Sequence, residues 1–115
     1  MVTTKEQGAL LHIISHCLRI EEKTKGLAKD AFDASDDIKD IVCFNLFQIG
    51  ELAKSFSQEF ILKHKEVPWN QIKGMRDRIG HGYGTISMER VWQTVVEDVR
   101  PLREYCERIL AAEAK

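Results

Sequence analysis

The chain has 115 residues, 43% of them hydrophobic and 30% charged, and its 17 basic and 18 acidic side chains leave a net charge of −1. That length suits one domain, residues 1–115, with an ordinary core, and the composition excludes a disordered or fibrous chain. No apolar run approaches the roughly 20 residues of a membrane span, no signal-peptide pattern opens the chain, and near-neutrality argues against bulk affinity for nucleic acid.

Helical periodicity dominates from the start. Leu10, Ile13, Ile14, Cys17 and Ile20 mark one face of a first helix, from about Thr4 to about Lys25, with Gly26 as its stop. A polar, acidic connector follows, and Ser35 or Asp36 is placed to cap a second helix. That helix carries Ile38, Val42, Ile49, Leu52, Phe56 and Phe60 and is expected to reach about His64, before Val67 and Pro68 break it. A short third helix runs from about Trp69 to Arg78 and exits through Gly80-His81-Gly82-Tyr83-Gly84. In the last helix Met88, Trp92, Val95, Val99, Leu102, Cys106 and Ile109 form the seam, Ser87 is the cap, and Pro101 predicts a kink. The expected architecture is all-α, an up-and-down four-helix bundle with a short third helix. A third helix that short leaves an apolar strip uncovered, which favours a homodimer.

Cys17, Cys43 and Cys106 lie far apart inside apolar patterns. An odd count without CxxC or His/Cys ligand spacing supports neither a disulfide scaffold nor a zinc site, so they read as buried thiols in a reducing cytoplasm. His12 and His16 are one turn apart, but no third ligand has a claim on that face, so they read as a partly exposed helix flank and no metal is expected. Trp69 and Trp92 sit on apolar stripes and read as core or interface anchors.

The charge is unevenly spread. Residues 63–90 hold Lys63, Lys65, Lys73, Arg76, Arg78 and Arg90 against Glu66, Asp77 and Glu89, a net of +3, while the remainder carries −4. Such a segment suits a phosphate-bearing ligand or an acidic partner. Cations near a helix C-terminus also complement the helix dipole, and charge alone does not separate the two readings.

Within that segment, Arg76 and His81 are five residues apart, roughly 140° around a regular helix, so they share a site only if the helix ends first. Gly80, Gly82 and Gly84 offer the freedom for such a turn. Imidazole exchanges protons near neutrality, and a guanidinium grips phosphate oxygens through paired donors. Together these groups fit metal-independent RNA cleavage by attack of the 2′-hydroxyl on the adjacent phosphate; a capping histidine beside a core tyrosine fits the spacing as well.

The stretch Arg76-x4-His81-x-Tyr83 resembles the signature of HEPN-domain ribonucleases, specifically the HepT-like toxins of the HepT–MntA type. Ile49-Gly50-Glu51-Leu52-Ala53-Lys54 is similar to the family's second-helix motif. Val67-Pro68-Trp69-x-x-Ile72-x-Gly74-Met75-Arg76 resembles its run into the active site, and Val91-Trp92-x-x-Val95 its fourth helix. The resemblance implies a HEPN-like helical bundle that dimerises with two motif segments facing a shared cleft. It implies that Arg76 and His81 carry ribonuclease chemistry on an RNA substrate, with Asp77 orienting the arginine and no cofactor required. It also implies that Tyr83 is AMPylated by an MntA-like minimal nucleotidyltransferase antitoxin. Gly84 departs from the family, where a bulky aromatic is common.

Lys73 and Arg78 are candidates for RNA affinity. Asn45, Gln48 and Glu51 form a polar strip on the second helix; they either support the motif from behind, Glu51 foremost, or line a wet interface edge. The leading function is a cytoplasmic endoribonuclease toxin with no membrane association. The alternative is a non-catalytic helical module that holds a nucleotidyltransferase or a nucleotide.

Overall fold

A computed structural model describes residues 2–82 and 86–114. Among the described residues the chain is all-α: α1 (Thr4–Thr24), α2 (Lys29–Ala34), α3 (Asp36–Ala53), α4 (Gln58–Lys63), α5 (Trp69–Gly80), α6 (Met88–Glu97) and α7 (Val99–Glu113). The long helices α1, α3 and α7 form the body, α1 packing against both others, while α5 packs on α3. No helix among the described residues is long and apolar enough to cross a membrane.

Two of the four expected helices are recovered as single helices, α1 and α5, and the other two are each divided. The connector after Gly26, which takes φ +69, contains the extra helix α2. It forms because Phe32 is fully buried, its ring 5.0 Å from that of Trp92. The expected second helix is divided into α3 and α4. Across Lys54–Phe56 the backbone tightens to three-residue hydrogen bonds, and the Ser55 hydroxyl donates to the Leu52 carbonyl at 2.6 Å. Ser57 then caps α4 by accepting from the Phe60 N–H at 3.0 Å. Serines at these positions offer the backbone a competing set of bonds, which outweighs the apolar periodicity. The expected last helix is interrupted at Asp98, three residues before Pro101, whose missing N–H leaves the Glu97 carbonyl without its helical partner. Ser35 and Ser87 cap α3 and α6 as expected.

Glu6 ties the N-terminal end of α1 to the start of α4. Its side chain is only 4% exposed, and its two oxygens accept from the Thr3 N–H at 3.1 Å and the Ser57 N–H at 3.0 Å. Arg103 does the same between α7 and α1, donating to both oxygens of Glu21 at 2.6 and 3.0 Å. Phe56, Phe60 and Trp69 cluster at the α4–α5 junction, and the Trp69 indole donates to the His64 carbonyl at 2.9 Å, fixing where α5 begins. Cys17, Cys43 and Cys106 are buried and form no disulfide, and burial pushes the Cys106 thiol up to about 12.

The close packing of α5 on α3 requires Gly50. A Cβ there would lie 2.2 Å from the Arg76 Cβ and 3.2 Å from the Ile72 carbonyl oxygen. On the other side α5 stands apart from α6 and α7, leaving an open groove of about 770 Å³ floored by Leu46, Ile49, Met75 and Leu102. Leu46, Ile49 and Met75 are themselves buried, so the groove is not the uncovered apolar strip that a short third helix was expected to leave.

Two stability measurements test this packing. Gly8 lies inside α1 with nothing within 4 Å of a built Cβ. Gly8→Ala is therefore expected to stabilise by about 0.5–1 kcal/mol through helix propensity alone. Gly50→Ala gains the same propensity, but overpacking costs about 1–3 kcal/mol, so its urea midpoint falls where that of Gly8→Ala rises.

Glu6 gives the acid limb of stability a definite sign. Burial pushes its carboxyl up, but the Ser57 and Thr3 backbone N–H groups outweigh burial, so it titrates below its ordinary 4.5. A carboxyl lowered by folding contributes stability above its unfolded value and loses it as pH falls through its folded one. Glu6→Gln is expected to lose about 1.5–3 kcal/mol at pH 7, with a urea midpoint that declines less steeply than wild type between neutrality and pH 3.

Candidate active site

The C-terminal half of α5 carries the candidate residues. Arg76 leaves α5 toward α3 with its stem against Gly50 and its guanidinium over the Phe47 ring, Cζ lying 4.7 Å from the ring centre. Arg76 Nε donates to Glu51 Oε1, and Nη1 donates to Asp77 Oδ1 at 3.1 Å. Lys54 Nζ lies 3.5 Å from Glu51 Oε1 and 3.6 Å from Asp77 Oδ1, so two cations alternate with two anions. The Arg76 side chain is 25% exposed and that of Asp77 54%, which places the network at the surface with its arginine most enclosed.

The local electrostatics keep Arg76, Glu51 and Asp77 charged. The hydrogen bond from Arg76 holds the Glu51 carboxyl below the usual carboxylate range. Partial burial opposes ionisation of Asp77, but Arg76 and Lys54 outweigh it and Asp77 also titrates low. Burial likewise opposes the Arg76 charge, and Glu51 and Asp77 more than offset it. Exposed ion pairs stabilise folding only weakly, so this network is better understood as positioning. It draws the guanidinium toward Glu51 and Asp77 and leaves Nη2 without a bonded acceptor among the described residues.

His81 caps the same helix end. Its backbone N–H donates to the Asp77 carbonyl at 3.1 Å, and the residue is exposed. The helix runs through Gly80, and positive φ comes only after His81, at Gly82, where it is +103, so the turn between Arg76 and His81 that a shared site required is not made before His81. Gly80 contributes space instead of conformational freedom: a Cβ there would lie 3.2 Å from Phe47 Cε1 and 3.4 Å from Arg76 Nη1. Tyr83 and Gly84 lie outside the described residues.

The other candidates separate. Lys73 is half-buried, one turn before Arg76 and roughly 60° from it around the helix. Arg78 is exposed and lines the groove between α5 and α6–α7, roughly 200° around from Arg76, so it belongs to a different face. The polar strip on α3 also divides. Glu51 meets Arg76, whereas the fully buried Asn45 donates to the Ile41 carbonyl at 2.7 Å and accepts from His16 Nδ1 at 2.7 Å. Asn45 thus ties α3 to α1; His16, on the partly exposed flank expected of it, is the partner in that bond. Among the described residues no group of three or more His, Cys, Asp or Glu is arranged to hold a metal. Trp69 is a core residue, 2% exposed, and Trp92 packs on Phe32.

Phe47 is the site residue that sequence reasoning misses. It lies three residues before Gly50 and four before Glu51, on the same helix as the quoted motif, and its phase on α3 is the available signal.

Residues 13–109 match the Ribonuclease HepT-like family. The chain is 32% identical over 104 residues to "Putative RNase TTE0752" of Caldanaerobacter subterraneus, covering 90% of this chain and 93% of that one. It is 31% identical over 90 residues to "Probable ribonuclease HepT" of Thermococcus cleftensis, covering 78% and 82%. No solved structure gives a significant match. With most of its length aligned to that family, this chain is a member of the HepT-like ribonucleases.

Proposed function

We propose that this chain is an endoribonuclease toxin that cleaves RNA without a metal ion, using Arg76 and His81. One observation carries the reading: the motif arginine is locked by Glu51, Asp77 and Phe47 on the last turns of the helix that His81 caps. A fixed guanidinium and an exposed imidazole near the end of one helix suit transfer of a phosphoryl group between neighbouring oxygens of RNA once they reach a common substrate.

In this reaction His81 accepts the proton of the 2′-hydroxyl, and the oxygen attacks the adjacent phosphorus. The bond from phosphorus to the 5′-oxygen breaks, and that oxygen leaves with a proton donated by an imidazolium. The products are a 2′,3′-cyclic phosphate and a 5′-hydroxyl end. Arg76 stabilises the charge that builds on the non-bridging oxygens. Acid and base act at once on opposite sides of the phosphorus, so two imidazoles serve better than one. The proposed working form is a homodimer whose shared cleft supplies both.

The proposed setting is the cytoplasm, with an MntA-like nucleotidyltransferase as antitoxin. Transfer of AMP to the Tyr83 hydroxyl, with release of pyrophosphate from ATP, would add a phosphodiester beside the cations that hold RNA. Lys73 is the proposed additional RNA contact on the Arg76 side, and Arg78 the one on the groove side.

Incubation of the purified protein with total RNA tests the enzyme reading. Cleavage is expected to persist in chelator, to fall about 10²–10⁴-fold in His81→Ala, and to fall about 10²–10³-fold in Arg76→Lys, which keeps the charge but loses the fork. Intact protein that never cuts RNA but binds the nucleotidyltransferase tightly would instead establish the binding-module alternative. For the modification, intact mass after incubation with that partner and ATP is expected to rise by whole AMP units, and not to rise in Tyr83→Phe.

A further inference from the structure

Arg76 is held by more than its two carboxylates. Its guanidinium lies over the face of Phe47, with Cζ 4.7 Å from the ring centre. A cation in that position is attracted by the negative face of the ring, and the contact also limits rotation about the terminal bonds of the side chain. The same ring reaches the end of α5. The space a Cβ at Gly80 would occupy lies 3.2 Å from Phe47 Cε1 and 3.4 Å from Arg76 Nη1. Phe47 therefore sits in one contact layer with the guanidinium and with the residue whose carbonyl joins directly to His81.

Carboxylates alone do not fix this arrangement. Asp77 is more than half exposed and Glu51 is 40% exposed, and such pairs exchange readily with water. An aromatic face adds a constraint that does not depend on salt and that resists tilting out of the plane. Phe47 also stands on α3, a helix packed on α1 and carrying Gly50, so the reference for the arginine's orientation is the bundle body.

We infer that Phe47 is a positioning residue: its ring sets the plane of the Arg76 guanidinium at the end of α5. The inference rests on the proposed ribonuclease reading for its catalytic consequence, but its geometric content stands separately. Two variants discriminate. Phe47→Leu keeps an apolar side chain and removes the π face; Phe47→Tyr keeps the face.

Two readouts are taken on the full chain, with thermal melting to confirm folding. In ribonuclease kinetics, Phe47→Leu is expected to lower kcat by up to about 100-fold with KM changed little, because a small misplacement of a positioned group acts on the transition state. Phe47→Tyr is expected to restore most of kcat. In nitrogen–proton NMR spectra, the Arg76 Nε–H resonance, assigned by its loss in Arg76→Lys, is expected to move in Phe47→Leu and to stay near its wild-type position in Phe47→Tyr. An unmoved resonance in a folded Phe47→Leu protein overturns the inference, as does full kcat in that variant or an equal loss in Phe47→Tyr. Should the wild-type protein cut no RNA, the ribonuclease reading fails and the resonance alone decides the role of Phe47.

Discussion

Two helices that approach without an intervening side chain set the geometry of this molecule. At Gly50 the backbone of α3 lies against the stem of Arg76, so close that a single methyl group would overlap the arginine Cβ. Long polar side chains usually leave a helix for solvent. Here the close approach lays Arg76 along the neighbouring helix, where Glu51 receives Nε and Phe47 lies under the guanidinium. The register of α5 on α3, the enclosure of the arginine and the pairing with Glu51 all follow from that one contact. Separating the helices by the width of a side chain would remove all three.

The electrostatics follow the same logic at longer range. A basic segment of +3 suggests a broad cationic surface, but the fold distributes it. Arg76 and Lys54 are balanced by Glu51 and Asp77, while Arg78 and Arg90 line the groove on the opposite side of α5. The candidate site is therefore nearly neutral, with one well-oriented cation. Such a site discriminates by geometry more than by bulk attraction, because a neutral cluster gathers few counterions to release.

Much of this was readable from residue order, and the exceptions have physical causes. The stripes of α1 and the last segment predicted the packed faces because long periodic runs leave little ambiguity. Glu51 was found because a carboxylate on an apolar helix calls for a partner. The divisions at Ser55–Ser57 and at Asp98 were missed because local capping chemistry competes with a hydrophobic pattern that continues through it. The short helix α2 was missed because it depends on Phe32 finding Trp92, sixty residues later in the chain. Phe47 and Gly80 were missed, or given the wrong reason, because their roles arise from a meeting between helices that neither segment records alone.

The groove beside α5 has a mechanical meaning as well. Since α5 packs chiefly on α3 and is separated from α6 and α7 by open space, it resembles a beam fixed along one side. The bonds that unite α1, α3 and α7, including Arg103 with Glu21 and Asn45 with His16, do not pass through it. The ties that hold Arg76 in place are a different set from those that join α1, α3 and α7, so a normal melting curve reports on the second set and not by itself on the first.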